Sequence, residues 1–216
     1  MSLSTRIKVV IITCLLSGFV FSAQASADLK LIGSGASFPA PLYAKWFKDF
    51  SAATQGVRVD YQSKGSGAGI QDFINQTVDF AASDAAMNDE EIAKVKGGVV
   101  LLPMTAGEVV LSYNLKGVDQ LKLPREVYPA IFTGKITRWN DPRIVAANPG
   151  VKLPDEAITV VVRSDSSGTS YVFTGHLAAI SEDFKTTVGQ AKAPNWPKSA
   201  RIVKAPKNDG VTATIK

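Results

Sequence analysis

Cysteine and histidine are almost missing from this sequence: Cys14 is its one thiol and His176 its one imidazole in 216 residues. A single cysteine excludes a disulfide framework and a Cys-based zinc site, and a single histidine excludes a multi-histidine metal centre. Long apolar runs are scarce as well. The main one, Val9 to Phe21, has 13 residues, and a membrane-spanning helix needs about 20. The net charge is +5, but no dense Lys/Arg cluster stands out, so nothing marks a nucleic-acid surface. Named nucleotide motifs are absent. There is no G-x-x-x-x-G-K-[ST], and Gly65-Ser66-Gly67-Ala68-Gly69 does not complete G-x-G-x-x-G. The G-x-S-x-G elbow of many hydrolases is absent too.

What is present describes an ordinary globular chain. Apolar residues make up 45% and charged residues 20%, with 10 Phe, 5 Tyr and 3 Trp to build a core, which excludes a disordered or collagen-like polypeptide. The length allows one large domain or two smaller ones. At the N-terminus, Arg6 and Lys8 precede the short apolar run, and Ala23-Gln24-Ala25 and Ala25-Ser26-Ala27 follow it. Positive residues, a short apolar core and an A-x-A site together read as a cleaved secretory signal peptide over residues 1–25. Removing it takes away Cys14, lowers the charge to +3 and leaves 191 residues. The expected product is exported and soluble.

Beyond that segment, short β-prone runs alternate with amphipathic stretches. Strands are expected at Leu29–Ile32, Val57–Gln62, Asp79–Ala82, Val99–Leu102, Val109–Leu115 and Ile158–Val162. The helix expected from about Pro39 carries an apolar stripe of helical spacing, Leu42, Tyr43, Trp46, Phe47 and Phe50. A second follows the loop Gly65–Gly69, and a third is capped by Asn88 with Glu90 and Glu91 in its first turn. A fourth spans Pro124–Phe132, and another follows Thr169. This alternation argues for an α/β fold with mainly parallel sheet.

Three segments share one form, in which a strand ends, a Gly- or Ser-rich loop follows and a helix begins: Gly33 to Phe38, Gly65 to Gly69 and Arg163 to Thr169. Helix starts present unpaired N–H groups and a positive dipole end, so such a loop can cradle an anion. Most turns of this composition hold nothing, and their Ser, Thr and Asp simply cap helices. The third is more specific, because Arg163 precedes it and Arg is suited to a tetrahedral oxyanion. Asp165 either orients that guanidinium or caps the helix. His176 is the one candidate imidazole base, and a packed or surface histidine is the simpler reading.

These residues resemble the periplasmic phosphate-binding protein (PstS) family of phosphate ABC transporters. Gly33 to Trp46 resembles the family's opening motif. Tyr61-Gln62, Gly65-Ser66, Thr77 to Asp84, Phe132 to Asp141 and Arg163 to Ser170 follow in the family's order. The resemblance implies a periplasmic, non-enzymatic, two-lobe receptor of the type II binding-protein kind. It needs no cofactor or metal, acts as a monomer, takes up inorganic phosphate and delivers it to permease subunits of the inner membrane. It implies a first lobe over 26–107 and a second over 108–216. Carried over by position, Ser37 gives a hydroxyl and Phe38 a backbone N–H. Ser66 donates from the second loop, and Asp84 is the one acidic contact. Arg163 supplies the charge and is held by Asp165, and Ser167, Gly168 and Thr169 surround the remaining oxygens. The family often has Thr where this chain has Ser37, which keeps the hydroxyl.

The family's chain runs past the position of Lys216, completing the second lobe and returning to the first. The resemblance therefore implies a first lobe without its returning segment and an incomplete second lobe, poorly packed beyond about Lys192. The alternatives are a truncated copy that binds poorly, an exported phosphate-ester hydrolase, and a receptor for another oxyanion or a polar solute.

Overall fold

A computed structural model describes residues 28–216, so the expected signal segment lies outside the described residues. Among those described, no helix is long and apolar enough to cross a membrane. The fold is α/β with two small parallel sheets. The first lobe is built on β1 (Leu29–Gly35), β2 (Val57–Ser63) and β3 (Phe80–Ala82), in the order β2-β1-β3. Its registers run from Leu29↔Val57 to Gly35↔Ser63 and from Gly33↔Phe80 to Gly35↔Ala82. Helices α1 (Ala40–Ala53) and α2 (Ser66–Ile74) make the two crossovers that parallel strands require. The short α3 (Asp89–Ile92) has a complete capping box, in which Asn88 accepts from the Glu91 N–H and the Glu91 carboxylate accepts from the Asn88 N–H.

The stripe on α1 divides in two. Tyr43 and Phe47 turn onto the sheet, where Tyr43 meets Tyr61 edge-on at 5.3 Å and Phe47 meets Phe80 at 5.7 Å. Leu42, Trp46 and Phe50 remain exposed. The sheet beneath has three strands among the described residues, and one of them is only three residues long. It covers one row of the helix, while the sequence stripe is two rows wide.

The second lobe holds α4 (Tyr128–Phe132), α5 (Pro142–Ala147), β4 (Val160–Arg163), α6 (Gly168–Ile180), α7 (Glu182–Thr187), β5 (Ile202–Ala205) and α8 (Lys207–Ile215). β4 pairs parallel with β5, from Val160↔Ile202 to Arg163↔Ala205. Val127, Ile131, Ile136, Ile144, Ile158, Val160 and Val162 form its buried core. Ile144 is wholly buried, so Ile144→Ala should cost about 2–5 kcal/mol, read as a lower denaturant midpoint at unchanged slope.

Three expectations change. The runs Val99–Leu102 and Val109–Leu115 are not strands: Val100, Leu102 and Val110 are 81%, 70% and 67% exposed. β-branched residues make a strand only where a neighbour supplies the ladder, and neither sheet extends to residues 99–115 among those described. The helix expected from Pro124 starts at Tyr128, because the Pro124 carbonyl closes a turn onto the Val127 and Tyr128 N–H groups. Beyond Lys192, packing is better than expected. β5 is paired, Ala200 and Ala205 are buried, and Trp196 lies between Phe132 and Phe184. Only α8 fits the expectation, since none of its residues is buried.

Candidate functional site

Each sheet delivers its strand ends to the same junction between the lobes, and each strand end there leads to a helix start or, at β3, to a carboxylate. After β1, the Ala36 N–H donates to the Ala82 carbonyl (2.8 Å), and the Tyr61 hydroxyl donates to the Ala36 carbonyl (2.8 Å). This fixes the turn that presents Ser37. After β2, the Lys64 and Gly65 N–H groups both reach the Gly35 carbonyl (2.9 and 2.8 Å). Gly65 takes φ 99°, in the left-handed region that favours glycine. α2 then opens directly at Ser66, so the predicted loop Gly65–Gly69 is mostly the helix's first turn. Ser66 is almost completely buried, and its Oγ accepts from the Asp84 N–H at 3.3 Å.

The second lobe supplies the charge. The Arg163 side chain is 7% exposed. Its Nε donates to Asp165 Oδ1 (2.8 Å), its Nη2 to Asp165 Oδ2, and its Nη1 to Asn208 Oδ1 (2.6 Å). A guanidinium carries five N–H donors, so one on each Nη is left for another acceptor. Asp165 also accepts from the Lys207 N–H (2.8 Å). Burial works to raise the Asp165 carboxyl, but Arg163 and the Lys207 N–H outweigh it and hold it below the ordinary carboxylate range. Ser167 is fully buried and caps α6 by accepting from the Ser170 N–H (3.1 Å). Its own N–H donates to the Lys192 carbonyl (2.8 Å). Gly168 and Thr169 form the first turn, where N–H groups have no partner within the helix.

The lobes meet across these groups. The Gly67 N–H donates to the Ser166 carbonyl (2.9 Å), the Thr169 hydroxyl to Asp84 Oδ2 (3.2 Å), and the Asn208 N–H to Ser37 Oγ (3.2 Å). Lys192 reaches Glu91 at 2.8 Å, with both side chains 18% exposed. Burial pushes the Asp84 carboxyl up, opposed by the Thr169 hydroxyl and the Arg163 charge. Burial also acts to raise Glu91, but Lys192 and the Asn88 N–H outweigh it and hold it down. A depressed carboxylate contributes stability above its unfolded value, about 4.3, and loses it as pH falls through the lower folded value. Glu91→Gln should therefore flatten the acid limb of a stability–pH profile measured by thermal unfolding.

Ser37, Ser66, Asp84, Arg163, Asp165, Ser167, Gly168 and Thr169 thus come together where the two lobes touch. The Phe38 ring packs instead against Gly107, with its backbone beside Ser37. His176 lies outside the network, exposed and hydrogen-bonded to the Tyr128 hydroxyl at 2.6 Å. Among the described residues no group of three His, Cys, Asp or Glu side chains could hold a metal ion. The sequence reading missed Asn208 and Lys207. The signal was a fourth strand-to-helix junction, Ala205-Pro206-Lys207-Asn208, which carries neither Gly nor Ser.

A family model described as a PBP superfamily domain matches residues 22–216. The phosphate-binding protein PstS of Pasteurella multocida (strain Pm70) is 42% identical over 210 residues, covering 96% of this chain and 58% of that protein. The phosphate-binding protein PstS of Haemophilus influenzae (strain ATCC 51907 / DSM 11121 / KW20 / Rd) is 44% identical over 176 residues, covering 81% and 51%. The chain spans about half the length of the curated relatives it matches. Among solved structures, a putative phosphate ABC transporter substrate-binding protein with bound phosphate, from Clostridium perfringens, superposes with a TM-score of 0.56 at 20% identity, over 86% of this chain and 65% of that one. That likeness is one of fold.

Proposed function

Because this chain belongs to the PBP superfamily and is 42% identical to a phosphate-binding protein PstS, we propose that it is a receptor of the PstS kind that captures inorganic phosphate between its lobes and delivers it to an ABC transporter for import. In this reading it is exported through a cleaved signal peptide and works in the periplasm as a monomer against permease subunits of the inner membrane. The two lobes correspond to residues 26–107 and 108–216.

The observation that carries the proposal is one buried guanidinium, held by Asp165, facing helix starts and a single carboxylate. Arg163 offers its two remaining N–H groups to phosphate oxygens. Ser37, the Phe38 N–H, Ser66, Ser167, Gly168 and Thr169 complete the donor set. Asp84 is the acceptor for the proton that phosphate keeps at neutral pH. Because Asp165 offsets the Arg163 charge, much of the attraction comes from N–H groups and helix dipoles. A phosphate-ester hydrolase would need a nucleophile with a base at the loops, and His176 is engaged with Tyr128 instead.

Thermal unfolding tests the proposal. A ligand present at about a hundred times its Kd stabilises the folded state by about 2.7 kcal/mol. Phosphate should therefore raise the midpoint by several degrees while equimolar sulfate leaves it in place; equal shifts from both would contradict the reading.

Gly168 gives a second test. A Cβ built there would stand 2.7 Å from Asp84 Cβ and 2.8 Å from Asp84 Oδ2, closer than side-chain carbons approach one another. Gly168→Ala should wedge the lobes apart and weaken phosphate binding about a hundredfold with the α6 helix intact, as read by calorimetry and circular dichroism.

A further inference from the structure

Asn208 lies outside every motif that points to phosphate, yet it grips site groups from both lobes. Its side-chain Oδ1 accepts from Arg163 Nη1 at 2.6 Å, and its backbone N–H donates to Ser37 Oγ at 3.2 Å. Lys207, just before it, takes φ 58° and gives its own N–H to Asp165 Oδ1 at 2.8 Å. The left-handed step at Lys207 accompanies a split of duties: one N–H goes to the second lobe's carboxylate and the next to the first lobe's hydroxyl. The start of α8 is therefore tied to Arg163, Asp165 and Ser37 at once.

The two partners of Arg163 act differently. Asp165 takes the Nε/Nη2 edge and fixes the guanidinium plane in a bidentate contact. A guanidinium held on that edge alone can still rock about the carboxylate. Asn208 holds Nη1, the nitrogen Asp165 leaves free, and the three bonds together fix where the two remaining N–H groups point. The acceptor is an amide, so it fixes direction without offsetting more of the positive charge. A carboxylate at this position would make the same bond and cancel the attraction for an anion.

We propose that Asn208 is a positioning residue for the anion site: an uncharged acceptor that aims Arg163 and, through Ser37, couples that aim to closure of the lobes. This rests on the phosphate reading. Asn208 is the second residue of α8, whose cap position is Pro206, and an acid in the first turn of a helix is favoured by its dipole, so a residue that served only the helix start would tolerate Asn208→Asp.

The test compares Asn208→Ala and Asn208→Asp with the unaltered chain, using calorimetric titration with inorganic phosphate. Asn208→Ala should raise Kd about tenfold and Asn208→Asp about a hundredfold. Phosphate affinity in Asn208→Asp equal to that of the unaltered chain would overturn the proposal. A ligand-independent measurement separates it from the phosphate reading. Nitrogen-15 relaxation at Arg163 Nε should show a rigid guanidinium in the unaltered chain and faster motion in Asn208→Ala. If phosphate gives no heat but this contrast holds, the phosphate reading fails and the positioning role stands. If phosphate binds and the contrast is missing, the positioning role fails.

Discussion

Arg163→Ala should weaken phosphate binding by about a hundredfold to a few thousandfold. Removing one partner of a buried charge pair costs about 3–5 kcal/mol, and each 1.4 kcal/mol is a factor of ten. The loss has two parts. The anion loses two charged donors, and Asp165 is left as a half-buried carboxylate held chiefly by the Lys207 N–H. That second part lowers fold stability as well as affinity, and the double variant Arg163→Ala, Asp165→Asn separates the two. With no carboxylate left unpaired, the double variant should recover most of the thermal midpoint lost by Arg163→Ala and none of the phosphate affinity. Arg163→Lys should fall close to Ala in affinity, because an ammonium cannot span both Asp165 oxygens and also reach Asn208. Recovery of binding in the double variant would mean that Arg163 serves the fold rather than the ligand.

Asp84→Asn should leave phosphate bound and let sulfate compete. Sulfate is fully ionised at neutral pH and offers no proton, so facing Asp84 it leaves an acceptor unpaired and adds like-charge repulsion, a penalty of about 1–3 kcal/mol or more. An amide presents an N–H to the same oxygen and removes that penalty. Discrimination, measured as the sulfate concentration that halves phosphate binding, should shift by about ten- to a hundredfold. The wild-type pH dependence has a fixed sign. Burial raises the Asp84 carboxyl, so its favourable contribution to folding is complete below the unfolded value, about 3.9, and lost as pH rises through the raised folded value. At neutral pH the charged form is therefore a cost to the fold without phosphate, and Asp84→Asn should keep or raise the thermal midpoint. As pH falls through the raised value, Asp84 gains a proton and becomes a donor. Wild-type selectivity should then decline towards that of the Asn variant, which stays flat.

How much of this was legible in the sequence depended on whether a residue's role is local. The three loops announce themselves in Gly, Ser and Arg, and a strand end followed by a helix start is enough to place Ser66 and Ser167 at helix N-termini and Ser37 in the turn before one. The capping box at Asn88–Glu91 is local and was read correctly as a cap. Asn208 is not local: its partners are 45 and 171 residues away, and the strand-to-helix junction that carries it has no Gly, Ser or Arg to mark it as a site. The Glu91–Lys192 pair spans 101 residues and is hidden for the same reason. Residues 99–115 fail in the opposite direction. Their apolar, β-branched composition reads as strand, but a strand is completed by a partner, which composition does not reveal. The stripe on α1 likewise shows periodicity, while its share of burial is set by the width of the sheet opposite.

We propose that strand ends and helix starts from the two lobes make one site for one phosphate. Calorimetric titration of the full chain with inorganic phosphate, in a background of about a hundredfold excess sulfate, tests it most directly. The expected result is a saturable isotherm with one phosphate per chain, unchanged when sulfate is left out. No saturable binding, or an isotherm that sulfate abolishes, would contradict it.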